Sequence, residues 1–218
     1  DYDALLTEDG QITPKYEAFR QIIGKYVALP DVELTTKIQR KAYGTLQAVR
    51  STSLFGNLEN LSRTVESVFP QSMEKLDQGY GYILYESELR CEGPLETLRL
   101  WGANDRANIF VDEKPLLTLY DRELLTEHTL EEPRKKGDKI SILMENMGRV
   151  NFGPNLERQR KGIDGSVQLN GHNHYHWKIY SLPMEDLSGL DFNIPVQKDA
   201  PGFYEFTFDA DETGDTFL

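Results

Sequence analysis

From Gly79 onward the chain repeats one pattern: short runs of alternating apolar and polar residues, each closed by a cluster of turn formers. Alternation at period two sends successive side chains to opposite faces of an extended strand, so each run can bury one face and wet the other. Strands are predicted at 80–89, 96–102, 107–112, 115–121, 138–146, 165–171, 176–184 and 202–210, with an earlier one at 35–49. Turn chemistry separates them: "DEKP" at 112–115, "KKGD" at 135–138, "NG" at 170–171 and "DETGD" at 211–215. Many short strands without intervening helical periodicity predict a mainly β fold of antiparallel sandwiches, not a parallel α/β sheet.

Two segments break the pattern. "TPKYEAFRQIIGKY" (13–26) predicts a helix, with Thr13 as N-cap, Pro14 in the first turn, and Tyr16, Phe19, Ile23 and Tyr26 on one stripe. "GNLENLSRTVES" (56–67) predicts a turn or two of helix inside a long connection. A content of 39% hydrophobic residues over 218 positions is enough to bury a core in one large or two modest domains.

Charge narrows the partners. With 36 acidic against 24 basic residues the net charge is −12, a field that repels nucleic-acid phosphates and anionic lipids. No nucleic acid and no membrane is expected as a partner, since no apolar run reaches spanning length. The lone Cys91 excludes an internal disulfide and a thiolate metal cluster. The chain reads as soluble, with its compartment open and the cytoplasm favoured. Asn60-Leu61-Ser62 is a glycosylation sequon without an accompanying secretion signal.

Reaction-centre motifs are missing. The sequence has no GxSxG nucleophile elbow, no phosphate loop and no HExxH. His172, His174 and His176 are predicted on one face of an extended strand. Three ligands in a straight row do not converge on a tetrahedral ion, so no metal site and no cofactor is assigned. Most carboxylates sit in turns such as "LEEP" and "DADE", where they are hydrated. Trp177 shares a face with Ile179 and is predicted in the core. Trp101, with Asn104, Asp105 and Arg106 nearby, offers the better sugar contact: a flat ring beside hydrogen-bonding groups. "MENMGRVNFGPNLERQRKGI" (144–163) groups glycines, asparagines and arginines. Asn146 and Asn151 suit turn backbone groups and Arg149 suits a carbonyl or carboxylate clamp, so this stretch is predicted to be a structural joint.

Six stretches also carry a resemblance: "DYDALLTEDGQITPKY", "QGYGYILYESEL", "ANDRANIFVDEKP", "LMENMGRVNFGP" with "KGI", "WKIYSLPM" and "PGFYEFTFDADETGDTFL". In that order, and across the whole chain, they resemble the C-terminal, non-catalytic part of family 35 glycoside hydrolases, the β-galactosidases. Departures are Leu5 for Pro, Glu113 for Gly, Phe152 for Tyr and Ser181 for Pro. The resemblance implies two jelly-roll, galactose-binding-like β-sandwiches, the second incomplete, after a remnant of a (β/α)8 barrel. It implies residues 1–30 as that remnant strand and helix, 66–173 as an inserted sandwich, and 31–65 with 174–218 as the truncated second one. Both catalytic glutamates of the parent, which hydrolyses terminal β-galactosides with retention, are then expected upstream of residue 1, and no residue here inherits a catalytic role. An excised fragment is expected, its partners being the missing barrel domain and, through the parent, galactosides. Uncovered faces of such a fragment are expected to self-associate. The alternative is a galactose-binding module.

Overall fold

The computed structural model describes residues 3–31, 41–90 and 93–214. These fall into two compact units, residues 3–31 and 41–46 with 208–214, and residues 47–90 with 93–207.

In the first unit the helix forms as α1, Pro14–Ile23. Thr13 is extended and its hydroxyl accepts the Tyr16 amide, supplying one of the partners the first turn lacks. A bridge between Leu6 and Ile12, and an ion pair of Lys15 with Asp3, hold the preceding turn. The predicted stripe is left open: α1 has no buried residue, and Tyr26 beyond its end is 82% exposed. Tyr43 packs at a tilt on Phe208 and Lys41 pairs with Asp211.

The predicted strand at 35–49 is corrected. Residues 35–40 lie outside the described residues, and 41–48 are irregular and mostly exposed. Alternation alone does not make a strand without a neighbour to pair with. Cys91, residues 1–2 and residues 215–218 also lie outside the described residues.

The second unit holds the strands. In chain order they are β1 (Arg50–Ser53), β2 (Val65–Ser67), β3 (Tyr82–Glu88), β4 (Leu95–Leu100), β5 (Ala103–Asn104), β6 (Arg106–Val111) and β7 (Lys114–Tyr120). There follow β8 (Glu127–Arg134), β9 (Lys139–Glu145), β10 (Gly162–Ile163), β11 (Val167–Leu169), β12 (His172–Asn173), β13 (Trp177–Leu182) and β14 (Gly202–Glu205). A six-stranded sheet runs β2-β13-β3-β9-β6-β7 and a four-stranded one β12-β11-β4-β8, with pairs β1-β14 and β10-β5 beside them. All recorded pairings are antiparallel. The fold is mainly β, as the alternation predicts.

The two larger sheets enclose the main core. Ile83 and Tyr85 of β3, Ile140, Ile142 and Met144 of β9, and Trp177 and Ile179 of β13 meet Leu98 and Leu100 of β4 and Val167 and Leu169 of β11. Trp177 is 1% exposed, as its shared face with Ile179 predicts. The opposite face of the six-stranded sheet is buried too. Leu84, Phe110, Leu143, Tyr180 and Leu182 pack against Leu54, Phe55 and Leu58, which lie on and beside the short helix α2 (Leu58–Leu61). This double burial makes β3 apolar along most of its length, beyond strict alternation.

The histidine run is a second correction. Only His172 lies in a strand; the chain leaves β12 after Asn173 and crosses to the other sheet, with His176 at φ 68°. His174 is buried while His172 and His176 are exposed, so the three do not share a face.

Candidate functional site

Polar side chains with defined partners concentrate where the 146–161 loop leaves and rejoins the sandwich. At its start the Asn146 amide NH donates to Gly81 O at 3.1 Å, and its side chain donates to Gly79 O while accepting the Gly148 NH, both at 3.0 Å. Arg149 spreads its guanidinium between two partners: Nε and Nη2 donate to Gly79 O at 3.3 and 3.1 Å, and Nη1 to Glu74 Oε1 at 2.8 Å. Both Glu74 oxygens also accept the Lys161 backbone NH at 3.1 Å, which ties the loop's start to its end. Burial acts to raise the Glu74 carboxyl, but the Arg149 hydrogen bond and backbone NH donors outweigh it and hold that carboxyl below its ordinary range.

The end of the loop is anchored more deeply. Lys161 is 1% exposed, and its Nζ donates to both oxygens of Asp105, at 2.7 and 2.6 Å. Asp105 Oδ2 also accepts the Met147 NH at 2.8 Å. The Asn104 side chain donates to Arg160 O, Gln159 Oε1 accepts the Val150 NH, and the β5-β10 pair then carries the chain into the core. There the Tyr85 hydroxyl accepts the Ile163 NH at 3.0 Å and donates to Gln71 O at 2.7 Å. Gly162, at φ +78°, is required: a Cβ on it would lie 2.5 Å from that hydroxyl.

Between these anchors the loop turns apolar side chains outward. Met147 and Val150 are more than half exposed, Leu156 is exposed, and Phe152 is 91% exposed. With Tyr120 and Leu125, Met147 and Val150 border a shallow hollow of about 540 Å³ that reaches down to Asp105 and Lys161. Two carboxylates line it, Asp105 and Asp121. Asp105 is committed to Lys161 and the Met147 NH, leaving it poorly placed as a nucleophile or proton shuttle. Among the described residues, no group of three His, Cys, Asp or Glu could hold a metal ion.

Of Trp101, Asn104, Asp105 and Arg106, expected to meet a sugar, the structure brings Asn104 and Asp105 to this hollow, with the Asn104 side-chain amide donating to Arg160 O. Trp101 is exposed, with the Arg99 guanidinium 3.7 Å above its ring. Arg106 faces Glu145 on the neighbouring strand at 3.6 Å. Asn146 and Arg149 lie in the loop's anchor, whereas Asn151 is exposed on its outer turn. Lys161 and Glu74 were not singled out by sequence reasoning. Lys161 sits in the run "RQRKG", where a lysine looks solvated, and only the glycine after it hints at a close approach.

A family model described as "Beta-galactosidase, first all-beta domain" matches residues 70–183. The chain belongs to this family. β-Galactosidase 17 of Arabidopsis thaliana is 34% identical, over 96% of this chain and 32% of its own length. β-Galactosidase 1 of Dictyostelium discoideum is 32% identical, over all of this chain and 37% of its own length. The human β-galactosidase-1-like protein 2 is also 32% identical, over all of this chain and 35% of its own length. The chain therefore spans about a third of these relatives, larger proteins of which the matching region is one part. In this first all-beta domain the Asp105–Lys161 and Glu74–Arg149 pairs hold the 146–161 loop to the sandwich.

Proposed function

We propose that this chain is the accessory β-sandwich region of a β-galactosidase and is non-catalytic by itself. In this reading it buttresses a catalytic domain of the longer enzyme, which hydrolyses terminal β-galactosides with retention. The observation that carries the proposal is the 146–161 loop: its ends are pinned by Arg149 and Lys161 while Phe152 and its neighbours face outward uncovered. A loop held by charge pairs, one of them built on the buried Lys161, and presenting apolar side chains is suited to a protein surface, and much less to a small polar ligand. Asn146, Arg149 and Asn151 belong to a structural joint in this account.

The division into a barrel remnant at 1–30, a sandwich at 66–173, and a second one from 31–65 with 174–218 is part of the same proposal, except that β13 (Trp177–Leu182), paired between β2 and β3, goes with the first sandwich. Pairing of β1 with β14, from Arg50 opposite Glu205 to Ser53 opposite Gly202, supports a second sheet joining the two outer segments. A sugar-binding role for Trp101, Asn104 and Arg106 has weaker support, because each already has a partner in the protein. Purified chain assayed on a chromogenic β-galactoside tests the proposal. No turnover is expected; turnover that an Asp105→Asn change abolishes would overturn it.

A further inference from the structure

We propose that His174 is a proton-sensitive latch on the short crossover between the two large sheets of the sandwich. Its protonation frees residues 174–176 from their places. The chain leaves the four-stranded sheet at Asn173 and enters the six-stranded sheet at Trp177, so three residues span the gap.

Few bonds hold them. The His174 NH donates to Val167 O at 2.8 Å on one side, and the His176 NH to Val68 O at 2.9 Å on the other. Ser87, on the inner face of β3, gathers the rest: its hydroxyl lies 2.9 Å from His174 Nε2, 2.9 Å from His176 O and 3.4 Å from Tyr175 O. The His174 ring stands edge-on to the buried Trp177, whose indole NH donates to His174 O at 3.2 Å. Tyr175 meets Phe69 in the same edge-to-face manner at 5.3 Å, on the solvent side.

His174 is only 7% exposed, and burial of this kind favours the neutral imidazole. Burial pushes the His174 imidazole below its ordinary value of 6.5. The Glu88 carbonyl, as a hydrogen-bond acceptor for the ring, works in the opposite direction, and Arg90 and His176 add to the depression. Among the described residues, no side-chain carboxylate is one of these influences. The flanking Val68 and Phe69 are apolar, and His172 and Tyr175, the remaining titratable groups of the segment, are exposed.

The sign follows from linkage. Opened to water, the imidazole regains its ordinary affinity for protons, so the open form binds a proton more tightly than the closed form. Opening is therefore favoured as pH falls below about 6.5 and levels off below the depressed value of the closed form. This property is independent of any catalytic partner.

Amide hydrogen exchange of the intact chain tests the proposal, measured from about pH 7 to about pH 5 and corrected for intrinsic exchange. Exchange at the His174 and His176 amides is expected to rise as pH falls, by at most about tenfold per pH unit, the limit for a single proton. His174→Gln, which can still hydrogen-bond Ser87 but cannot charge, is expected to abolish that rise, while His176→Gln keeps it. A parallel NMR titration of the wild-type imidazole does not depend on the variants folding. A flat wild-type profile, a rise that survives in His174→Gln, or a wild-type His174 midpoint at or above the ordinary value would overturn the latch.

Discussion

Removing one oxygen atom from Tyr85 tests how far the core depends on a single polar tie. Tyr85→Phe keeps a ring that is fully buried among Ile83, Met73 and Ile163, and so leaves the cavity filled. What disappears is the acceptor for the Ile163 NH and the donor to Gln71 O. Ile163 is itself fully buried, so its NH gains no water, and an unsatisfied buried donor costs about 1–3 kcal/mol. Gln71 is only partly buried, and its carbonyl can recover water, which brings that loss nearer to about 1 kcal/mol. The expected total is about 2–4 kcal/mol, a large share of the roughly 5–15 kcal/mol that stabilises a typical domain. Urea unfolding followed through the buried Trp177 should show a lower midpoint with an unchanged slope. A loss under about 0.5 kcal/mol, the size of an ordinary surface change, would refute the assignment of this hydroxyl as the tie between β3 and β10.

Two further outcomes concern the loop anchor. Lys161→Met leaves Asp105, only 21% exposed at its side chain, without its cation and should cost about 3 kcal/mol, at the lower end for a broken buried pair. Adding Asp105→Asn should return part of that loss in a denaturant series. Glu74, held below its ordinary 4.5, stabilises the folded chain fully above that value, and its contribution is lost as pH falls towards the lower folded value. Glu74→Gln should therefore lower the thermal midpoint at neutral pH and flatten its decline in acid.

Strand placement was the most legible property because burial on one face writes a period of two directly into residues such as Ile140, Ile142 and Met144. β8 was missed for a physical reason. It lies at the edge of the four-stranded sheet, where Glu131, Glu132 and Pro133 are tolerated because one side needs no partner. The reverse error at 41–48 came from alternation with no pairing strand beside it. At the loop, residue type alone marked Asn146 and Arg149 as backbone-satisfying groups, and they hold Gly79 in that way. Lys161 escaped because its burial depends on Asp105, 56 positions away, a distance that a single sequence does not encode.

The double-sided burial of the six-stranded sheet bears on where the chain can be cut. A piece trimmed to the matched boundaries, 70–183, would lose β2 and the lid formed by Leu54, Phe55 and Leu58. Leu84, Phe110, Leu143 and Leu182 would then form a bare greasy wall, and such a piece should clump on purification although its own hairpins are whole. The minimal cooperative object is thus wider than the recognisable motif.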